Sequence, residues 1–222
     1  MTNKIKGTAF NSLVTFLIAL FMTSTATAQN IQLPSPQKEG GLTFAETVAN
    51  RHSIREFDPS KELSLQQISN LLWSAAGINR PETGMRSNPT AMNSQEIDVY
   101  LFSKDGVYLY DPKANALIKR ADGDHRSLVA GGKAFSQDFV MDAPISLVMV
   151  ADTGKFEREG MAQSAAPALD AGIVSQNINL FCSANGLATV PRITMDTDAI
   201  KTLLSLNANH LPLINNPVGY AK

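Results

Sequence analysis

The sequence predicts an α+β fold, a mixed β-sheet flanked by helices. Three observations carry that expectation. Capped helical segments are interspersed with strand segments along the chain. Two of the strands are joined by a tight turn, which makes an antiparallel hairpin. One segment, Ile145-Ser146-Leu147-Val148-Met149-Val150, is apolar nearly throughout, the pattern of a central strand. A doubly wound parallel sheet is not expected.

The chain has 222 residues, 44% apolar and 18% charged, with a net charge of −1. That is a globular composition with nothing directed at nucleic acid or at an acidic membrane surface. Residues 1–28 read as a secretory signal peptide. Lys4 and Lys6 form a positive start, Leu13 to Met22 an apolar run, and Ala26-Thr27-Ala28 a cleavage site before Gln29. The apolar run is about half the roughly 20 residues that a membrane span needs. No Cys follows it and no Arg-Arg pair precedes it, which argues against a lipoprotein anchor and a twin-arginine signal. The expected mature protein is one domain, residues 29–222, exported to the periplasm, with no membrane span. Its single cysteine, Cys182, cannot form an intrachain disulfide and reads as a small buried hydrophobe beside Leu180 and Phe181.

The elements follow in order. Asn30 to Gly41 is a proline-containing leader. Thr43 and Glu46 form a capping box that opens a short helix ending near Asn50. Ser64 and Gln67 form another, and the spacing of Leu65, Ile68, Leu71, Leu72 and Ala75 predicts a helix to Ala76. Gly77 to Asn93 is a long irregular stretch, the kind of loop that is usually functional. Ile97 to Phe102 and Val107 to Tyr110 are the hairpin arms around Lys104-Asp105-Gly106. Arg126 to Phe139 reads as helix. Ala162 to Ala184 is the longest helical run, rich in small residues such as Ala168, Ala171 and Gly172, and suits a core or dimer helix. Gly186 is placed to end it. Asp196 caps a further helix to Leu206, and Leu211 to Tyr220 is an extended tail with two prolines. Trp73 reads as core, Tyr108 and Tyr110 as packing on one strand face. Arg86 reads either as a contact for a substrate anion or as a solvent-facing side chain.

Phosphate loops, zinc motifs and nucleophile elbows are missing, and His52, His125 and His210 are too scattered for a metal site. What stands out is Arg51-His52-Ser53-Ile54-Arg55, directly after a capped helix. Two guanidiniums, a hydroxyl and an imidazole within five residues suit a phosphate monoester through charge-assisted hydrogen bonds. The alternative is a solvated basic helix end.

This segment resembles the R-R/H-S-x-R/K signature of the nitroreductase family at Arg51, His52, Ser53 and Arg55. Three further stretches are similar to family patterns in the same order. Asn88-Pro89-Thr90-Ala91-Met92-Asn93-Ser94-Gln95 resembles P-S-x-x-N-x-Q-P, with Glu96 where the pattern has its last Pro. Gly186 to Thr194 resembles G-L/V-x-x-x-P/W, and Pro217-Val218-Gly219-Tyr220 resembles P-x-G-Y-P. The stretch from Leu72 to Arg126 also looks like the SagB-type dehydrogenase subgroup.

The resemblance implies a nitroreductase-like fold forming an interlocked homodimer with FMN at the interface. Arg51, His52, Ser53 and Arg55 would hold phosphate and ribityl. Asn93 and Gln95 would reach the flavin, Pro191, Ile193 and Thr194 would pass its N5 and O4 edge, and Lys222 is the one candidate for an extra basic residue beyond G-Y-P. The implied activity is two-electron hydride transfer through flavin N5 to a nitroaromatic, quinone or similar small-molecule acceptor, with ping-pong kinetics. NAD(P)H is a candidate donor, though scarce outside the cytoplasm. No protein side chain is expected as catalytic acid or base, and no metal. The alternatives are a SagB-like dehydrogenase oxidising an azoline-type peptide, a flavin-binding protein without turnover, and a module without flavin.

Overall fold

A computed structural model describes residues 29–222 apart from Lys133; the expected signal peptide lies outside the described residues. The chain opens with β1 (Ile31–Gln32), a two-residue strand inside the leader. Both expected capping boxes are formed. Thr43 and Glu46 start α1 (Phe44–Asn50), and Ser64 and Gln67 start α2 (Leu65–Ala76), each closed reciprocally between side chain and backbone.

The stretch expected to be wholly irregular contains a small hairpin, β2 (Ile78–Arg80) and β3 (Met85–Arg86). The predicted longer hairpin is β4 (Ile97–Ser103) and β5 (Gly106–Asp111). It continues into β6 (Ala116–Asp122), whose Leu-Ile-Lys-Arg order lacks the alternation that reveals a strand. The helix expected from Arg126 to Phe139 is only α3 (Arg126–Ala130). Gly131 ends it with φ 155°, and a Cβ there would collide with the backbone of Phe135. The chain forms β7 (Gly131–Gly132), β8 (Phe135–Ser136) and a 3₁₀ turn over Asp138–Asp142 instead.

β9 (Ile145–Asp152) is followed by α4 (Ala166–Ala184), which starts later than expected, with Pro167 in its first turn. Gly186, at φ 66°, ends it as expected, with the Leu187 N–H donating to the Cys182 carbonyl at 2.9 Å. Then come β10 (Ala188–Thr189), α5 (Thr197–Leu203) and β11 (His210–Gly219). Asp196 caps α5 as predicted, and the helix stops short of Leu206 as Ser205 turns to φ 52°.

The main sheet has the order β1-β6-β5-β4-β9-β11-β10. Every pairing in it is antiparallel, so the α+β class holds with no parallel pair among the described residues. The Leu211–Tyr220 segment is not a free tail. It is β11, lying between β9 and β10. Its two prolines hid this. Pro212 sits at a register shift, and Asn215 spends its N–H and C=O on Arg192, so by alternation the N–H that Pro217 lacks belongs to the side away from β9.

The strand β9 is buried along nearly its whole length because both faces are covered. Ile145, Leu147 and Met149 pack with Leu71, Leu72, Val174, Ile178 and Cys182 of α2 and α4. Val148 and Val150 pack on the other face with Val129 of α3 and Ile200 of α5. Tyr108 and Tyr110 are packed on the first of these faces, as expected. Cys182 is fully buried, and burial pushes its thiol far above the usual range.

Between α4 and β11 runs a buried polar chain. Ser175 Oγ donates to Asn216 Oδ1 at 2.7 Å, and Asn216 Nδ2 donates to Asn179 Oδ1 at 3.1 Å and Thr189 Oγ1 at 3.2 Å. Removing Asn216 leaves three buried groups without their partner. Asn216→Ala is therefore expected to lower unfolding stability by about 2–4 kcal/mol, read from chemical denaturation. A variant as stable as the parent would show that the chain of amides is not holding α4 to the sheet.

Candidate functional site

The Arg51–Arg55 segment leaves α1 in an extended conformation, starting at Arg51 (φ −62°, ψ 115°). Ile54 turns inward onto a cluster of Phe57, Ala143 and Ala188, and its N–H donates to the Thr189 carbonyl at 3.0 Å. Arg51, His52, Ser53 and Arg55 are exposed. The guanidiniums of Arg51 and Arg55 have no ion pair among the described residues. His52 Nδ1 lies 2.7 Å from the Asn50 carbonyl oxygen. A carbonyl only accepts, so Nδ1 carries the hydrogen and Nε2 of the neutral ring is free to accept.

The chain end lies along the same segment. The Asp58 N–H donates to the Tyr220 carbonyl, Ala221 bridges to Phe57, and the Lys222 N–H donates to the Glu56 carbonyl at 3.2 Å. Lys222 is thus paired with Glu56, the residue after Arg55, and is itself exposed. Asn50, His52, Ile54, Ser183, Gly186 and Ala221 line one groove of about 410 Å³. Three segments far apart in sequence meet there.

The 188–194 stretch joins this region through Thr189. Pro191 is exposed, and Ile193 is 78% exposed, unusual for a large apolar residue. The N–H groups of Ile193 and Thr194 find no partner among the described residues, whereas the Thr194 carbonyl accepts from Asn215 Nδ2 at 3.0 Å. Arg192 between them points the other way and is buried. Its guanidinium donates to Gln137 Oε1, Asn215 Oδ1 and the carbonyls of Val129 and Ala130, at 2.7–3.0 Å, with no carboxylate partner among the described residues. Burial pulls its pKa down to about 10. Arg192 pins the loop so that its neighbours' backbone stays open. Nothing in the local pattern signals this role, since Arg192 follows the last position of the G-L/V-x-x-x-P/W motif.

Asn93 and Gln95 lie elsewhere. Met92, Asn93 and Gln95 take positive φ of 56°, 55° and 49°, a strained backbone of the kind that collects at functional sites. Asn93 is exposed and Gln95 half-buried, its amide donating to the Gly84 carbonyl at 3.2 Å. This loop is tied to the start of α4, where Asp170 Oδ2 accepts the Ala91 N–H at 2.7 Å. The groove lies at the far end of the helix, where Ser183 Oγ donates to the Thr47 carbonyl. From Asp170 to Ala184 the helix rises about 21 Å. One protomer therefore does not bring its Arg51–Arg55 segment and its Asn93 loop together.

Two further readings change. Trp73 is half-buried rather than core. Its indole N–H donates to the Ile78 carbonyl at 3.0 Å, Lys38 lies 5.5 Å from the ring centroid, and the ring lines a separate cavity of about 480 Å³. Arg86 is half-buried and is engaged within the chain. It donates to the Ile97 carbonyl at 2.8 Å, and burial lowers its pKa. Glu96 and Asp170, both buried, were not singled out as a pair, because nothing in their spacing announces one.

The nitroreductase family model matches residues 48–220, a span that contains both the Arg51–Arg55 segment and the Asn93 loop. The chain belongs to the nitroreductase family. Among solved structures it is similar to a putative nitroreductase from Ralstonia eutropha, at 34% identity and a TM-score of 0.79, over 88% of this chain and 91% of that one. A putative nitroreductase from Anabaena variabilis shares the fold at 18% identity and a TM-score of 0.69, over 88% of this chain and 42% of that one. So does a chain of the E. coli microcin synthetase McbBCD complex with truncated pro-MccB17 bound, at 19% identity and a TM-score of 0.65, over 94% of this chain and 85% of that one. Among curated proteins none matches. The nitroreductase membership makes this chain an oxidoreductase by family. Among the described residues no group of His, Cys, Asp and Glu is arranged to hold a metal ion, and no helix is long and apolar enough to cross a membrane.

Proposed function

We propose that two copies of this chain hold FMN at their interface and use it to pass two electrons from a donor such as NAD(P)H to a small acceptor of the nitroaromatic or quinone class. The observation that carries this reading is that Arg51 and Arg55, exposed and without ion partners among the described residues, share one extended segment with His52 and Ile54, which line a groove together with Ala221, the neighbour of the exposed Lys222. That donor set fits a phosphate monoester. The unpaired N–H groups of Ile193 and Thr194 fit the polar edge of a flavin ring, and fixed main-chain donors next to a buried guanidinium orient such a ring without side-chain chemistry.

The dimer follows from the separation along α4. Asn93 and Gln95 belong to a site whose cationic half comes from the partner. The face of α4 that such a partner would cover is open and largely apolar. Leu169 is 65% exposed, Gly172 and Ile173 are half-buried, and Phe44 and Val48 of α1 are exposed as well. Bound flavin supplies hydride chemistry at N5. The chain binds, orients and shields it, and donor and acceptor take turns at one face, which gives ping-pong kinetics. The fold shared with the microcin synthetase complex favours a second reading, a SagB-like dehydrogenase oxidising an azoline-type peptide at the same site. Turnover of such a peptide with no nitroaromatic or quinone activity would select it. A protein that binds FMN but exchanges no electrons with any donor would be neither.

Arg55→Ala is expected to weaken FMN by about 1.5–3 kcal/mol and riboflavin hardly at all, because the charge-assisted bonds go to the phosphate. Equal losses for both ligands would place Arg55 away from it. Light scattering on residues 29–222 should give twice the chain mass, and a monomer that keeps FMN would rule out the shared site. Export to the periplasm belongs to the same proposal. Protein from its native host should begin at Gln29 by intact mass, and a full-length membrane-bound species would overturn that part.

A further inference from the structure

The loop that carries Asn93 and Gln95 is held by carboxyl groups that face no water. Glu96, at the start of β4, is wholly buried. Its Oε1 has no partner, and its Oε2 lies 2.6 Å from Ser94 Oγ. Ser94 Oγ is also 2.9 Å from the Ala91 carbonyl oxygen. The hydroxyl has one hydrogen for these two contacts, and the carbonyl can only accept. Both bonds are made at once when Glu96 is protonated and donates to Ser94, which then donates to Ala91. An ionised Glu96 forces Ser94 to give one of them up.

Asp170 of α4 stands on the other side. Its Oδ2 accepts the Ala91 N–H at 2.7 Å, which ties the same residue to α4. Burial first, and Asp170 next to it, hold the Glu96 carboxyl above its usual range, against the Ser94 contact that lowers it. The other charge facing Glu96 is Arg86 of β3, which favours the ionised form, but Asp98 of β4 and Asp111 of β5 also draw on that guanidinium. The backbone between Ala91 and Glu96 needs holding, because Met92, Asn93 and Gln95 are all in the left-handed region. Apart from these carboxyls, Thr90 Oγ1 restrains it, accepting the Gln95 N–H at 2.9 Å.

We propose that the folded chain keeps Glu96 protonated, and that this proton, passed on through Ser94 to the Ala91 carbonyl, latches the 90–96 loop in the conformation that presents Asn93 and Gln95. Glu96 is then a positioning residue with a pH-dependent grip. The family pattern has Pro at this position, which has no proton to lose. The folded loop binds the proton more tightly than the free chain does. The latch is complete below the Glu96 titration and is lost as pH rises through it, with up to about a tenfold weakening per pH unit for one released proton. The consequence for ligand affinity rests on the FMN reading above; the latch itself does not.

The test uses the mature protein with and without FMN, between about pH 5 and pH 9. Amide hydrogen exchange over residues 91–95, corrected for its intrinsic pH dependence, reads the loop. The infrared band of a protonated carboxyl reads Glu96. In the parent, protection of the loop should fall as pH rises, the band should fade with it, and FMN affinity should follow the same midpoint. Glu96→Gln keeps the shape, donates an N–H to Ser94 Oγ in place of the carboxyl O–H and cannot titrate. It should lack the band and hold its loop protection and FMN affinity flat at the low-pH level of the parent. If that variant does not fold, Asp170→Asn removes the second carboxyl instead and should move the midpoint to lower pH. Loop protection that is flat with pH in the parent would overturn the proposal. So would a carboxyl band that survives Glu96→Gln, or a midpoint unmoved by Asp170→Asn. A protein that shows the titrating loop but binds no FMN would keep the latch and remove the FMN reading alone.

Discussion

Burial of β9 on both faces is the constraint on which the rest of the structure depends. A strand with Ile145, Leu147 and Met149 on one side and Val148 and Val150 on the other cannot be left open on either. Helices α2 and α4 have to cover one face, and α3, α5 and the 3₁₀ turn before β9 the other. Covering the first face fixes α4 across the sheet, and α4 in turn sets where functional segments can be. The Asn93 loop is tied to its start and the groove around His52 to its end. The Arg51–Arg55 segment and the Asn93 loop are therefore separated by the length of a core helix.

That arrangement explains why α4 is apolar on more than one side. A surface helix of a monomer has a single apolar stripe. Here Val174, Ile178 and Cys182 face the sheet while Leu169, Gly172 and Ile173 remain on the open side. The small residues noted in the sequence fit close approach of a second helix there. The same helix buries Ser175 and Asn179, which a purely packing role would not call for. Their bonds to Asn216 fix its register against β11, the strand that also carries Asn215 to Arg192 and the Thr194 carbonyl. Hydrogen-bonded amides thus transmit the position of α4 to the open backbone of Ile193.

Local sequence determined what depends on local physics. The capping boxes at Thr43 and Ser64, the Gly186 stop, the hairpin around Asp105-Gly106 and the Asp196 cap are each decided within a few residues, and each is present. The basic cluster Arg51-His52-Ser53-Ile54-Arg55 lies within five residues, so it was legible before any fold. The family was legible too, from four short motifs in order.

Tertiary structure decided the rest, because the deciding partners are distant in sequence. β11 looked like a tail because two prolines count against a strand, and only its neighbours β9 and Arg192 show where the missing N–H does no harm. The helix after Arg126 failed because Phe135 folds back against Gly131. Arg192, Asp170 and Glu96 are ordinary in sequence and become functional candidates only once burial removes water from them and leaves a guanidinium without a carboxylate and two carboxyls sharing one space. A charge is inexpensive in water and costly out of it, and burial is a property of the fold that no local pattern encodes.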